Sequence, residues 1–251
     1  MVLHTYPSPP FTLHTFARVD STNDNAKTLA QKGAPHGTVV WAAEQTAGRG
    51  RFTRAWASPP GNLYMSVVLR PEVAPPRTAE LGFIAALAVA ETVETFLPPS
   101  TTAQLKWPND VLVNGAKISG ILLEGQFSGQ GIAWIVAGIG VNIVSMPDSP
   151  AYPTTSLAAS GAAAVTVEAV LHVLLTRLGA WLDSWRGAGF EPVRAAWMRR
   201  AARLGDPISV RIGTAPLTGR FGGIDHDGAL LLETTEGTRR ITAGEVAFGP
   251  A

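Results

Sequence analysis

The chain has 251 residues, 20 Lys and Arg against 19 Asp and Glu, a formal net charge of +1, and 46% hydrophobic against 16% charged residues. That balance supports a globular core and excludes a disordered or fibrous chain, and so mild a charge argues against a nucleic-acid binder. There is no cysteine, which excludes a disulfide framework, a thiolate metal site and a cysteine nucleophile. The opening, residues 1–11, has neither the basic nor the apolar region of a leader. The most apolar helical stretch, residues 81–97, contains Glu91 and Glu94, so a core helix rather than a membrane span is expected, in a cytoplasmic protein.

In chain order, Asp20-Ser21-Thr22-Asn23 supplies N-cap residues for a helix running to Lys32, with Gly33 as its stop. Residues 38–44 read as a strand. Residues 45–56 read as a loop carrying Arg49, Arg51 and Arg54 between glycines. Pro59-Pro60-Gly61-Asn62 is a turn, residues 63–69 a strand, residues 78–96 a long helix ended by Pro98-Pro99, and residues 104–107 a short strand. A hairpin follows, Val111-Leu112-Val113 turning at Asn114-Gly115 into a run to Glu124. Residues 132–137 are a strand before Gly138-Ile139-Gly140, and residues 166–185 and 190–203 are helices. At Gly205-Asp206-Pro207 the composition turns Gly-rich and short-stranded. A domain boundary is expected near Leu204, dividing 1–204 from a small β-barrel over 205–251.

No phosphate loop of the GxxxxGK[ST] type, no GxSxG elbow and no HExxH occurs. The segment Gly48-Arg49-Gly50-Arg51-Phe52-Thr53-Arg54 can wrap an anion, because guanidinium forks suit carboxylates and phosphates and glycines bare backbone N–H groups. A solvated basic loop is the alternative. A regular hairpin pairs Val113 with Ala116, Leu112 with Lys117 and Asp110 with Ser119. Asp110, Lys117 and Ser119 then share one face, with Asp110 and Lys117 roughly 7–8 Å apart at the backbone. They either form an ion pair or face one ligand from two sides, Asp110 through Mg²⁺ and Lys117 on an oxyanion. Gly120, on the other register, permits close approach. Ser21 and Thr22 either cap their helix or turn their hydroxyls to a ligand.

Together these segments resemble the biotin protein ligases. The matching pieces are Ser21-Thr22-Asn23, Glu44 to Trp56, Ser58 to Tyr64, Lys106-Trp107-Pro108-Asn109-Asp110, Gly115-x-Lys117-x-x-Gly120-Ile121-Leu122-x-Glu124 and Gly138-x-Gly140-x-Asn142, in the family's order and spacing. The tail, with Gly219, Gly222, Gly228 and Gly244-Glu245-Val246, is similar to the family's SH3-like C-terminal domain. The resemblance implies an α+β fold, a central mixed sheet flanked by helices as in class II synthetase-like catalytic domains. It implies a monofunctional ligase without an N-terminal DNA-binding domain, since Ser21-Thr22 comes too early to leave room for one. The implied reaction makes biotinyl-5′-AMP from biotin and Mg-ATP, then passes biotin to a lysine of a carboxylase's biotin carboxyl carrier domain. No nucleic acid or membrane partner is implied, and a homodimer is a family habit.

By resemblance, Lys117 and Arg51 are catalytic, neutralising the approach of carboxylate to phosphate. Ser21, Thr22, Asn23, Gln45, Gly48, Arg49, Gly50, Arg51, Lys117, Gly120 and Gly138 belong to the biotin site. Arg51, Arg54, Trp56, Lys106, Asn109, Asp110 and Asn142 belong to the ATP site, with Asp110 on Mg²⁺. Phe52 and Thr53 depart from the family pattern, which has Arg and Gly there; a charge and a hinge are lost. A lipoate ligase of the same fold and a non-catalytic biotin-binding module are the alternatives.

Overall fold

The computed structural model describes residues 3–6, 11–129, 131–148, 152–162, 164–213 and 215–248, so the start of the chain lies partly outside it. The strands and helices are β1 (Leu3–Tyr6), β2 (Phe11–Phe16), α1 (Thr22–Gln31), β3 (Thr38–Ala42), β4 (Leu63–Leu69), α2 (Glu80–Phe96), β5 (Ala103–Lys106), β6 (Asp110–Val113), β7 (Ala116–Ser128), β8 (Gly131–Val141), α3 (Val167–Ala188), α4 (Glu191–Arg199), β9 (Pro207–Ile212), β10 (Ala215–Ile224), β11 (Leu230–Thr234), β12 (Gly237–Ile241) and β13 (Glu245–Ala247). The first eight strands form one mixed sheet in the order β1-β2-β3-β4-β8-β7-β6-β5, and the last five an antiparallel sheet in the order β12-β11-β10-β9-β13. None of the described helices is long and apolar enough to cross a membrane.

The large sheet is two-sided, and strand alternation divides its residues. One face packs on α2, whose Leu81, Ile84, Leu87, Val89 and Val93 are almost wholly buried, with α3 and α4 outside it. The apolar residues of α2 surround the helix because sheet and helices cover it on several sides. The other face carries a second, smaller cluster of Val40, Val68, Trp134 and Val136, packed on Ala26 and Ala30 of α1. α1 covers only part of that face. Beyond it the alternating positions become Ser66 on β4 and Gly138 and Gly140 on β8, with Ser66 paired to Gly138 and Tyr64 to Gly140. Small residues there leave a hollow where a continued apolar run would have left none.

The differences from the sequence reading have physical causes. β1 and β2 carry no clear signal in the sequence, because each is short and prolines lie between them. β8 continues through Gly138-Ile139-Gly140 to Val141, paired on both sides by β4 and β7, so two-sided pairing overrides the loop tendency of glycine. The last long helix ends at Arg199 rather than Arg203. Arg203 has φ +63, and Leu105 joins the backbones of Arg200 and Ala202 to β5. The hairpin carries a bulge: Leu112 pairs with Lys117 and Val113 with Ala116 as expected, but Val111 pairs with Ser119 and Asp110 with Gly120.

Asn62 holds the chain that leaves β8. Its Oδ1 accepts from the backbone N–H of Ile143, Val144 and Ser145 at 2.8, 3.0 and 3.2 Å, and its Nδ2 donates to the Ser145 carbonyl. One amide therefore satisfies three donors. Asn62→Ala is expected to destabilise the fold by about 2 kcal/mol, since orphaned donors cost about 1–3 kcal/mol. Urea unfolding should show a lower midpoint with an unchanged slope.

Candidate functional site

A cavity opens on the part of the sheet that α1 leaves uncovered, lined by the start of α1, the 45–56 loop, β6, β7, β8 and, from the C-terminal sheet, Glu245 and Val246. Its two ends differ in chemistry.

One end is neutral and polar. Ser21 is the N-cap of α1 with an extended backbone, yet its side chain makes no capping bond, so the capping role open at sequence level is not taken and the hydroxyl lines the cavity. The Thr22 N–H donates to Gln45 Oε1 at 2.8 Å and Thr22 Oγ1 lies 3.0 Å from the same oxygen. Gln45 Nε2 donates to Ser58 Oγ at 2.9 Å, and Ser58 Oγ donates to the Trp56 carbonyl. Behind Thr22, Ser66 Oγ is 2.8 Å from Thr22 Oγ1 and 2.5 Å from Asn23 Oδ1. Asn23 lies against Gly138: a Cβ there would come within 2.1 Å of Asn23 Oδ1.

The other end is cationic around one carboxylate. Lys117 Nζ is 2.6 Å from Asp110 Oδ1, at an angle that leaves this buried oxygen without a hydrogen bond. The ammonium also sits between two rings, 5.4 Å from that of Trp56 and 5.3 Å from that of Tyr152. Lys106 and Arg51 line the same space. Burial pushes the Lys106 ammonium below its usual value, against the pull of Asp110 and with the help of Lys117. Burial likewise lowers Arg51, opposed by Asp110 and Glu245. Asn109 holds β6 to β7, its Nδ2 donating to the Ile121 carbonyl, and its Oδ1 accepts from Arg51 at 3.3 Å.

The bulge settles which residues face this cavity. Gly120, opposite Asp110, is on the cavity side: a Cβ there would meet Trp56 at 3.1 Å and Lys117 at 3.3 Å. Ser119 lies on the core side, 0% exposed and with an unpartnered hydroxyl. The expectation that Ser119 shares a face with Asp110 and Lys117 is therefore corrected; one extra residue in β7 turns it away.

The loop is tied at both ends. Arg49 makes a two-pronged pair with Asp24 of α1, both contacts 2.6 Å, with Glu124 3.6 Å away. The Arg49 guanidinium beside Asp24 holds that carboxyl well below the usual carboxylate range, against the effect of burial. Arg49 lines the cavity, as expected, while this pairing latches it to α1. Arg54 pairs through both terminal nitrogens with the Glu245 carboxylate, and Arg51 donates to the Gly244 carbonyl at 3.1 Å. Phe52 takes φ +54, with Arg51 4.8 Å above its ring. The aromatic residue that replaces the expected Arg thus flanks its neighbour's guanidinium.

Trp56 lies flat against β8: a Cβ at Gly140 would come within 2.7 Å of its indole. Its Nε1 is buried without a partner. Gly48 and Asn142 fall outside this cavity and line an adjoining one with Asp148 and Thr154; Gln45, Trp56, Lys117 and Tyr152 border both. Asn142 Nδ2 donates to the Thr155 carbonyl, so its amide fixes the chain behind Lys117. Gly50 lines the main cavity as expected.

Sequence reasoning gave no role to Ser66, Asp24, Lys27, Glu124 or Tyr152. Ser66 leaves a readable sign, a lone hydroxyl in an otherwise apolar run from Met65 to Leu69. Tyr152 leaves none, because a proline-flanked loop carries it.

A family profile for the biotin/lipoate A/B protein ligase family matches residues 15–142, and one for the biotin protein ligase C terminal domain matches residues 204–249. The chain belongs to the biotin/lipoate A/B protein ligase family. Within it, the chain is 44% identical over 238 residues to the biotin–[acetyl-CoA-carboxylase] ligase of Paracoccus denitrificans, covering 93% of this chain and 99% of that one. It is 36% identical to the bifunctional ligase/repressor BirA of Bacillus subtilis, covering 92% of this chain and 72% of the relative. Among solved structures, the biotin protein ligase of Aquifex aeolicus in complex with biotin and ATP superposes with TM-score 0.79 at 29% identity, covering 94% and 97% of the two chains. The Leishmania major enzyme in complex with biotinyl-5-AMP gives 0.68 at 25% identity, covering 94% and 100%.

Proposed function

We propose that this protein is an ATP-dependent biotin ligase that forms biotinyl-5′-AMP and transfers the biotinyl group to a lysine of a carboxylase's biotin carrier domain. The observation that carries the reading is the polarity of the cavity. Ser21, Thr22 and Gln45 present neutral donors and acceptors at one end, and Lys117, Lys106, Arg51 and Asp110 form a charged cluster at the other. Biotin has the same polarity, an uncharged ureido ring at one end and a carboxylate at the other.

The chemistry follows from that placement. A biotin carboxylate oxygen attacks the α-phosphorus of ATP; the P–O bond to pyrophosphate breaks and pyrophosphate leaves. Two anions approach each other, so the step needs cations set where charge accumulates. Lys117 and Arg51 occupy that region, and their ammonium and guanidinium stay there without reorganisation. In the second step a deprotonated carrier lysine attacks the acyl carbon of the mixed anhydride and AMP departs. Arg54 and Trp56 close the loop over the adenylate and keep water off it. Asn109 and Lys106 meet the nucleotide. Asp110 would hold a Mg²⁺ ion by exchanging its contact with Lys117 for the metal, since one carboxylate plus substrate phosphates and water is the ion's usual set. When bound, Mg²⁺ offsets phosphate charge.

We assign catalysis to residues 1–204 and a supporting role to residues 205–251, whose Glu245 anchors the loop through Arg54. Use of ATP and of a carrier domain supports a cytoplasmic location. The test is exchange of labelled pyrophosphate into ATP. Exchange with biotin and not with lipoate or octanoate is expected; exchange with lipoate alone overturns the substrate assignment, and none with any acid overturns the enzyme reading.

A further inference from the structure

Gln45, Thr22, Ser66, Asn23 and Glu124 form a single hydrogen-bond chain beneath the neutral end of the cavity. Gln45 Oε1, Thr22 Oγ1, Ser66 Oγ and Asn23 Oδ1 follow one another at 3.0, 2.8 and 2.5 Å, and Asn23 Nδ2 reaches Glu124 Oε2 at 2.7 Å. Three oxygen-to-oxygen links thus share two hydroxyl protons, those of Thr22 and Ser66. No solvent reaches Ser66, which is 0% exposed.

The ends of the chain fix its direction. An ionised carboxylate only accepts, so Asn23 must turn Nδ2 to Glu124 and Oδ1 to Ser66. Lys27 Nζ, 2.8 Å from Glu124 Oε1, supports the ionised form. Ser66 therefore gives its proton to Asn23, the shorter of its two contacts. At the other end Gln45 is fixed too, with Nε2 on Ser58 and Oε1 towards Thr22. Thr22 is left with one proton for two oxygen neighbours. Gln45 Oε1 keeps the Thr22 N–H, but one of the two oxygen contacts of Thr22 Oγ1 has no proton, so oxygen lone pairs face each other where the chain meets the cavity.

We propose that Glu124, acting through Asn23 and Ser66, is the residue that makes this end of the cavity demand an N–H donor from its ligand. Glu124 is a positioning residue: it fixes the direction of the chain and touches no substrate. A ligand N–H set against Thr22 Oγ1 or Gln45 Oε1 supplies the missing proton. A dithiolane or an alkyl chain in the same place offers no donor and leaves the two oxygens opposed away from water, where such contacts cost most. The inference rests on the biotin reading, and it adds which residue sets the preference for a ureido ring over other acyl acids.

Glu124→Gln tests it. A glutamine amide can donate to Asn23 Oδ1, letting Asn23 turn its Nδ2 to Ser66. Ser66 then donates to Thr22, Thr22 donates to Gln45, and no link lacks a proton. The quantity to measure is the ratio of dissociation constants for ureido-N-methylated biotin and biotin, by calorimetry on the full chain. In the native protein the ratio should be large, and in Glu124→Gln it should narrow by about tenfold. Ser66→Ala, which cuts the chain, should narrow it as well, and decides the matter should Glu124→Gln not fold. Glu124→Asp keeps an acceptor-only group and Lys27→Met keeps the carboxylate while removing its partner; both should retain the native ratio, whereas a merely electrostatic role would move it in Lys27→Met. An unchanged ratio in both Glu124→Gln and Ser66→Ala, with biotin still bound, overturns the proposal alone. Absence of biotin binding by the native protein overturns the ligase reading itself.

Discussion

Lys117→Met is expected to slow biotin-dependent pyrophosphate exchange by about 10²–10³-fold, the usual effect of removing one preorganised donor from a developing oxyanion and worth about 2.7–4 kcal/mol. The size of the effect follows from how the ammonium is held. Lys117 is 2.6 Å from Asp110 and close to the rings of Trp56 and Tyr152, so its ammonium is held in one place from three directions. Methionine keeps the length and apolar contacts of the stem while removing the charge. The split between kinetic constants is informative. If Lys117 acts mainly at the transition state, kcat for adenylation falls much more than the KM for biotin rises. Equal binding and equal rates in Lys117→Met would reduce its ammonium to an ion-pair partner of Asp110.

Gly138→Ala is expected to weaken biotin binding by at least about tenfold while leaving ATP binding near native. A Cβ at this position would stand 2.1 Å from Asn23 Oδ1, far inside contact distance, so Asn23 must leave its place. Gly138 pairs with Ser66 on one side and Leu122 on the other, and the strand has no slack to move instead. Displacing Asn23 removes its bonds to Ser66 and Glu124; losing one such buried partner costs about 1–3 kcal/mol. The three atoms nearest such a Cβ all belong to Asn23, at the neutral end of the cavity. Calorimetric titration with biotin and, separately, with ATP measures the asymmetry. An equal loss for both ligands would mean that the strand had shifted as a whole.

Much of this site was legible from residue type and spacing, and the limits are physical. Ser21-Thr22 at a helix start, the Gly-Arg loop and Lys117 after a tight hairpin are local signals, and each side chain lines the cavity or borders it. Pairing across the hairpin correctly put Lys117 with Asp110. It failed for Ser119, because a bulge shifts register by one residue and has no residue signature in the segment Ala116 to Ser119. Asn142 and Arg49 were legible as polar residues in the right neighbourhood, but their partners were not. Thr155 and Asp24 are brought to them by tertiary packing, which no spacing rule contains. The same holds for Glu124, visible as part of a motif and yet readable as a positioning group only once Asn23 stands beside it. In the fold, α2 and β4 are long, strongly apolar and correctly placed. β8 was cut short, because a glycine pair reads as a break unless strands on both sides are known to hold it.

The position of Trp56 has a kinetic consequence. Its indole lies on the backbones of Gly120 and Gly140, so it is itself an occupant of the ground that an incoming ligand must cover. A substrate covering that ground would have to displace the ring before the loop closes over it, and its measured dissociation constant would then equal the intrinsic one divided by the fraction of molecules in which the ring has swung out. At high biotin concentration the observed binding rate should level off at the rate of that swing, a first-order step independent of concentration, and indole fluorescence is placed to follow it.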